Sequence, residues 1–260
     1  MTTQHENWNG APGQRWATGQ AEIDRSLAAI TELWLPWVAP KPTDRVLDVG
    51  CGSGTTTILM AERAASARGI DISEPMLAVA RTRAPQVEFT LADAATYPFE
   101  AAHELIVSRF GVMFFDEPVA AFANLHGALA PGGRLAFVCW RGFEDNPWAA
   151  MPMAAAKPYL PSVAPADPHA PGPFAFADRH RIESILSAAG FRDVAIGART
   201  STMVLGETIE QAVTSTLMFG PLSRAAEGLD EETREAIRVR LRATLTGTMP
   251  ASVWLVGATI

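Results

Sequence analysis

The sequence predicts an open α/β sheet with helices on both faces, and three observations predict it. Apolar runs that read as strands recur at RVLDV (45–49), ARGIDI (67–72), VEFTL (87–91), ELIVS (104–108) and RLAFVCW (134–140). Segments with helix signals separate them. Three alternating glycines, Gly50, Gly52 and Gly54, lead the first run straight into the first of these helices. Repeated strand–helix units of this kind close into a parallel sheet through right-handed crossovers.

Each element has its own warrant. Ile23, Leu27, Ile30, Leu33, Trp34 and Trp37 fall at helical spacing, which predicts a helix over 21–38 that Pro40 and Pro42 end. After the glycines a helix runs from Thr55 to Ala65. Ser73 is the expected N-cap of the next, with Pro75 in its first turn and Arg83 at its end. Asp116 and Pro118 open a helix through Ala130, closed by the PGG at 131–133.

The pattern changes after Trp140. Eight of the nineteen prolines lie between Pro147 and Pro173, so 141–180 reads as an apolar cover with room for one short helix, or as a linker. Asp178 caps a helix ending near Gly190, and a strand follows at 191–197. Helices near 207–219 and 230–245 lead to a last strand at 252–259. The division expected is one domain: an N-terminal lid helix in 1–42, a core at 43–140, the proline-rich cover, and a C-terminal remainder of the sheet at 181–260.

Composition narrows the function. Of 260 residues, 48% are hydrophobic and 19% charged, which is globular and not disordered. A net charge of −7 argues against a nucleic-acid partner, since phosphate binding needs a basic face. Cys51 and Cys139 are the only cysteines, too few for a disulfide framework or a four-ligand zinc site. The chain shows neither the basic, apolar start of a secretory signal nor a run long enough to span a bilayer. A reduced, cytoplasmic protein, monomeric or homodimeric, is expected.

The glycine loop asks which nucleotide it holds. The dinucleotide fingerprint G-x-G-x-x-G fails in both registers, because Thr55 or Thr57 stands where the third glycine belongs. No Gly-Lys-Ser/Thr follows, so the phosphate loop of nucleotide triphosphatases fails as well. The pattern present is D-x-G-x-G-x-G: Asp48, Gly50, Gly52, Gly54.

With that pattern the chain resembles the class I S-adenosylmethionine-dependent methyltransferases. The resemblance continues through GIDISEPML (69–77), LADAATYPF (91–99), LIVSRFGVMFF (105–115) and LAPGGRLAFVCW (129–140). It is similar to the small-molecule branch that includes the ubiquinone and menaquinone C-methyltransferases. The resemblance implies a Rossmann-like, doubly wound, mostly parallel seven-stranded sheet with an antiparallel last strand and a helical, proline-rich cap. It implies S-adenosylmethionine as cofactor, no metal, and a small-molecule methyl acceptor.

The cofactor residues it implies are Asp48, Gly50, Cys51, Gly52, Ser53 and Gly54 in the loop, Asp71, Ile72 and Met76 after the second strand, and Asp93 and Ala94 after the third. Ser108 and Arg109 follow from the fourth strand, Arg15 and Trp16 from the GQRW before the first long helix. Glycines there allow positive φ and close approach of a ligand to the backbone. The start of the helix at Thr55 offers free N–H groups to a carboxylate. Asp48 would fix the loop and attract the cofactor's ammonium. Asp71 would accept from both ribose hydroxyls, Asp93 from the adenine amino group. Arg109 has an alternative as a structural partner of Asp48 or Asp116, and Trp16 as core. Phe110, Met113, Phe114, Trp140 and His169 are the acceptor-side candidates; no catalytic base is singled out.

The expected reaction moves a methyl group to oxygen, nitrogen or carbon of an apolar or aromatic metabolite. Two other readings stand beside it: a protein that binds S-adenosylmethionine without transfer, and a nicotinamide-dependent oxidoreductase.

Overall fold

A computed structural model describes residues 3–162 and 167–260. The described elements follow in chain order. Helices α1 (Gln4–Asn9), α2 (Ala11–Thr18) and α3 (Gln20–Val38) precede β1 (Arg45–Val49), α4 (Thr55–Ala61), β2 (Ser66–Asp71), α5 (Glu74–Arg83) and β3 (Glu88–Leu91). Then come β4 (His103–Arg109), α6 (Pro118–Ala128), β5 (Leu129–Trp140), α7 (Pro147–Ala156) and α8 (Arg179–Ala188). Strand β6 (Arg192–Val204), helices α9 (Ile209–Met218), α10 (Pro221–Ala225) and α11 (Glu231–Thr244), and β7 (Thr248–Thr259) complete the fold.

The strands form one sheet in the order β3-β2-β1-β4-β5-β7-β6. All pairs from β3 to β5 are parallel, and β7 runs antiparallel to both β5 and β6. The doubly wound sheet with an antiparallel last strand is therefore present. Central strands carry continuous apolar runs because both faces are covered: Val46, Leu47 and Val49 in β1 and Leu105, Ile106 and Val107 in β4 are all buried. Helix α3 presents Ile23, Leu27, Ile30 and Trp34 to this core, as its spacing predicts. The strand order reverses between β1 and β4, the crevice where open sheets hold ligands.

Several boundaries differ from expectation for identifiable reasons. Helix α4 stops at Ala61, because the Ala65 and Ser66 amides bond to the Asp44 carbonyl and draw the chain into β2. Helix α6 stops at Ala128: Leu129 pairs with His103, and the Pro-Gly-Gly that follows is an irregularity inside β5 before Arg134 resumes the ladder beside Leu105. In the proline-rich segment α7 reaches ten residues, with Pro147 in its first turn and Pro152 inside it. Asn146 anchors this helix. Its amide donates to the Arg141, Gly142 and Ser252 carbonyls, while its oxygen accepts from the Ser252 amide and the Trp148 indole.

Ser73 precedes α5 but its hydroxyl does not cap it; it donates to the Trp8 carbonyl instead. The cap comes from α1, where Asn9 Oδ1 accepts from the Glu74 amide and Asn9 Nδ2 donates to the Ile72 carbonyl. Helices α1, α2 and α10 were not expected. No helix among the described residues is long and apolar enough to cross a membrane.

Candidate active site

The loop after β1 and the turn after β4 meet at the crevice. Gly50, Gly52 and Gly54 all adopt positive φ (65°, 54° and 83°), which accounts for the glycine pattern. A Cβ on Gly50 would stand 2.7 Å from Gly111 Cα, so two backbones touch here. Phe110, just before Gly111, also has positive φ (66°), a strained conformation for a bulky residue. Its ring stacks on Trp140 at 4.2 Å and 13°.

A cavity of about 590 Å3 opens at this point, within the range of small-molecule sites. Its wall on the glycine-loop side holds Gly50, Cys51, Gly52, Ser53, Asp71, Ile72, Met76, Asp93 and Ala94. Trp16, Arg109, Phe110, Met113, Phe114 and Trp140 also line it. All these are brought together in one cavity.

Five of the expected residues do not reach the cavity. Asp48 is fully buried beneath the loop; its Oδ2 accepts from the hydroxyls of Thr56 (2.6 Å) and Thr57 (2.7 Å), and Oδ1 has no partner. It fixes the first turn of α4 from beneath the cavity lining. Gly54 is packed against Phe89 and Ala80. Ser108 is buried, its hydroxyl accepting from the Gly111 amide. Arg15 lies on α2 outside the lining. His169 sits on an exposed turn, its amide bonded to Asp167, away from the site.

Arg109 pairs with neither Asp48 nor Asp116. It donates to Thr31 Oγ1 (2.8 Å) and stands 3.6 Å from Asp24 Oδ1, both on α3. Asp24 is the site residue that sequence reasoning missed. Its carboxylate accepts from Thr55 Oγ1 at the start of α4, from the Gln20 amide and from Arg83 (3.0 Å). The positive end of α4, expected to face a cofactor carboxylate, is thus already faced by an internal one. Nothing local marks Asp24, because its partners lie at 55, 83 and 109.

Burial sets the protonation of the buried groups. It pushes the Asp48 carboxyl up to about 6, against the Thr56 and Thr57 hydrogen bonds and the field of Arg109. It also raises Asp71, whose Oδ2 and Oδ1 accept from the Gly52 and Ser73 amides and so oppose the shift. Burial lowers Arg109, while Asp24 and Asp48 work the other way. The Cys51 thiol is raised well above its ordinary value by burial and by Asp71 and Asp48, so it stays protonated and is no nucleophile.

The opposite wall comes from the ends of β5 and β6 and from α7, α9 and α10. Trp140, Trp148, Ala149, Pro152, Met203, Leu205, Thr216, Phe219 and Leu222 face the cavity there. Trp148 packs on Trp140 at 4.7 Å, and Phe219 meets Trp16 edge-on at 6.0 Å. Trp148, Phe219 and Trp8 escaped the sequence reading, since isolated aromatics outside a motif carry no positional signal.

S-adenosylmethionine can be tested against this donor set. A Cβ on Gly52 would meet only Met76 Sδ, at 3.6 Å, so the missing side chain leaves a cradle open to the cavity. Each Asp71 oxygen accepts one amide and keeps a second lone pair for a ribose hydroxyl. Asp93 holds its own turn through the Ala95 amide and still lines the cavity. Ile72 and Met76 supply apolar contact for a base. The residues fit the cofactor.

Comparison with known proteins agrees. Residues 46–133 match the methyltransferase-domain family model. A trans-aconitate 2-methyltransferase from Variovorax paradoxus is 35% identical over 165 residues, 62% of this chain and 61% of that protein. A demethylmenaquinone methyltransferase from Thermus thermophilus is 39% identical over 104 residues, 37% of this chain and 46% of that protein. The matched stretch thus spans less than two thirds of either relative. The YcgJ protein from Bacillus subtilis shares the fold, with a TM-score of 0.59 at 16% identity over 88% of this chain and 96% of its own. Residues 46–133 are thus a methyltransferase domain, and S-adenosylmethionine is the cofactor that its glycine loop, ribose-side acid and sheet order fit.

Proposed function

We propose that the chain transfers the methyl group of S-adenosylmethionine to an oxygen, nitrogen or carbon of a small, uncharged, apolar or aromatic acceptor. One observation carries this reading: the residues that β5, α7, α9 and α10 contribute to the cavity are aromatic, aliphatic or hydroxyl-bearing, and none is ionisable. The acceptor named for one relative, trans-aconitate, is a carboxylate anion, and this wall offers no cation to receive it. Arg109, the one arginine lining the cavity among the described residues, is held by Thr31 and Asp24.

When bound, the cofactor supplies an activated methyl group on a sulfonium. The chain's own part is to orient and to exclude water. Asp71 and the Gly52 backbone fix one partner, and the stacked Phe110 and Trp140, with Trp148 tilted against them, offer an apolar surface to the other. Alignment of two reactants in a dry site is worth on the order of 7–11 kcal/mol. That suffices for an acceptor that releases its proton readily, and no side chain of this wall needs to act as base.

We infer further that the chain works as one domain, with residues 1–42 as a lid and 141–180 as a cover. Incubation with S-adenosylmethionine and a panel of neutral phenols, heteroaromatic amines and carboxylates tests the reading, with S-adenosylhomocysteine measured by mass spectrometry. Product with neutral aromatic acceptors is expected. Product with trans-aconitate and with no neutral compound would overturn the assignment.

A further inference from the structure

Two covers from opposite ends of the chain meet over the cavity. One is the break between α2 and α3 at Gly19, the other the break between α9 and α10 at Phe219 and Gly220. Their contact leaves no room for change. A Cβ on Gly19 would stand 2.3 Å from Phe219 Cζ, 3.2 Å from Phe219 Cε1 and 3.2 Å from the Arg15 carbonyl oxygen, so the ring occupies most of the space a side chain would need. Gly19 has φ −89°, which any residue adopts, so the backbone does not require glycine there. The ring does.

From Phe219 a run of edge-on aromatic contacts crosses the cavity. Phe219 meets Trp16 at 6.0 Å, Trp16 meets Trp8 at 5.9 Å, and Trp8 meets Phe114 at 5.2 Å, with interplanar angles of 79°, 83° and 89°. All four residues line the cavity. At its far side the N-terminal cover is tied by hydrogen bonds: Ser73 to the Trp8 carbonyl, and Asn9 to Ile72 and Glu74. These ties fall within three residues of Asp71, beside the cofactor. At its near side, Phe219 against Gly19 and Trp16 is the contact that joins it to the C-terminal cover.

We propose that Phe219 is a positioning residue: seated against Gly19, it holds Trp16 and with it helices α1 and α2 closed over the cavity, and so sets how fast the cofactor product leaves. The inference rests on the methyltransferase reading of the cavity. It goes beyond it by assigning retention to one contact between the chain's two ends. Phe219 acts through Trp16, which it meets edge-on.

The test uses the full chain and S-adenosylhomocysteine, with stopped-flow tryptophan fluorescence to measure its dissociation rate. Phe219→Ala is expected to speed dissociation about 2- to 10-fold, the factor that one lost edge-on aromatic pair corresponds to. Gly19→Ala should do the same by expelling the ring. The double variant Gly19→Ala/Phe219→Ala should fall close to Phe219→Ala alone, because without the ring the added methyl meets only the Arg15 carbonyl, at 3.2 Å. Plain structural damage at two sites would instead add, and additive rates would overturn the proposal. So would an unchanged dissociation rate in folded Phe219→Ala, judged by its melting curve. Failure of the wild-type chain to bind S-adenosylhomocysteine at all would strike the methyltransferase reading itself, a distinct outcome.

Discussion

Replacing Gly52 by alanine separates the two kinds of work that glycines do in the loop. The residue has φ 54°, where an L-residue costs about 1–2 kcal/mol. Its new methyl group would meet only Met76 Sδ at 3.6 Å, an ordinary contact. For a chain of this size the strain lowers the melting temperature by roughly 2–8 °C and leaves the fold intact. The same methyl group fills the cradle where a ligand would lie on the backbone. Overpacking of that kind costs about 1–3 kcal/mol, or roughly a 5- to 150-fold loss of affinity. Gly50→Ala is the contrasting variant. Its Cβ would stand 2.7 Å from Gly111 Cα, and backbone cannot give way as a side-chain tip can. It should be severely destabilised before any question of binding arises. Thermal unfolding of each variant, followed by calorimetric titration of Gly52→Ala with S-adenosylhomocysteine, makes the comparison. A stable Gly52→Ala protein with wild-type affinity would refute the reasoning, because no ligand then approaches that backbone.

Three further outcomes follow from the buried polar groups. Asp48 keeps its proton to about pH 6 in the folded chain against an ordinary value near 3.8, so protonation favours the fold. That stabilisation is complete below about pH 4 and is lost as pH rises through 6; relative to wild type, Asp48→Asn should therefore gain on the order of 2–3 kcal/mol between pH 4 and 7. Parallel stability curves for the two proteins would contradict it. Asn146→Ala strands the Ser252 amide and the Trp148 indole, and should cost about 2–4 kcal/mol in a denaturant titration. Asp71→Ala removes the acceptor of the Gly52 and Ser73 amides as well as the ribose partner; titration should show cofactor affinity falling about 10²-fold or more.

Much of the cofactor side could be read from the chain because its determinants are local. Three glycines at alternate positions record a backbone that needs positive φ, and Asp71 and Asp93 stand at strand ends that the apolar runs locate. Helix α3 was legible for the same reason, its spacing naming the buried face. Ser73 shows the limit: it carries the right residue type for a cap, yet Asn9 of another helix takes the position.

The acceptor side was read less well. Phe110, Met113, Phe114 and Trp140, named for their place at the ends of β4 and β5, line the cavity. His169 was selected by chemistry and proximity to the prolines, but its turn leaves it exposed. Trp8, Trp148 and Phe219 belong to segments whose helices could pack in many ways, and no periodicity says where a lone aromatic will point.

The sequence by itself determined the strand–helix alternation, the glycine loop and the acids that follow it, since each depends on neighbours a few residues away. Only the tertiary structure decided that Asp24 would meet Thr55, Arg83 and Arg109, that Asp48 would lie beneath the loop rather than in the cavity, and that Phe219 would close on Gly19. Those contacts join residues tens to hundreds of positions apart. Their partners are chosen by how covered faces pack on the sheet, which no local pattern encodes.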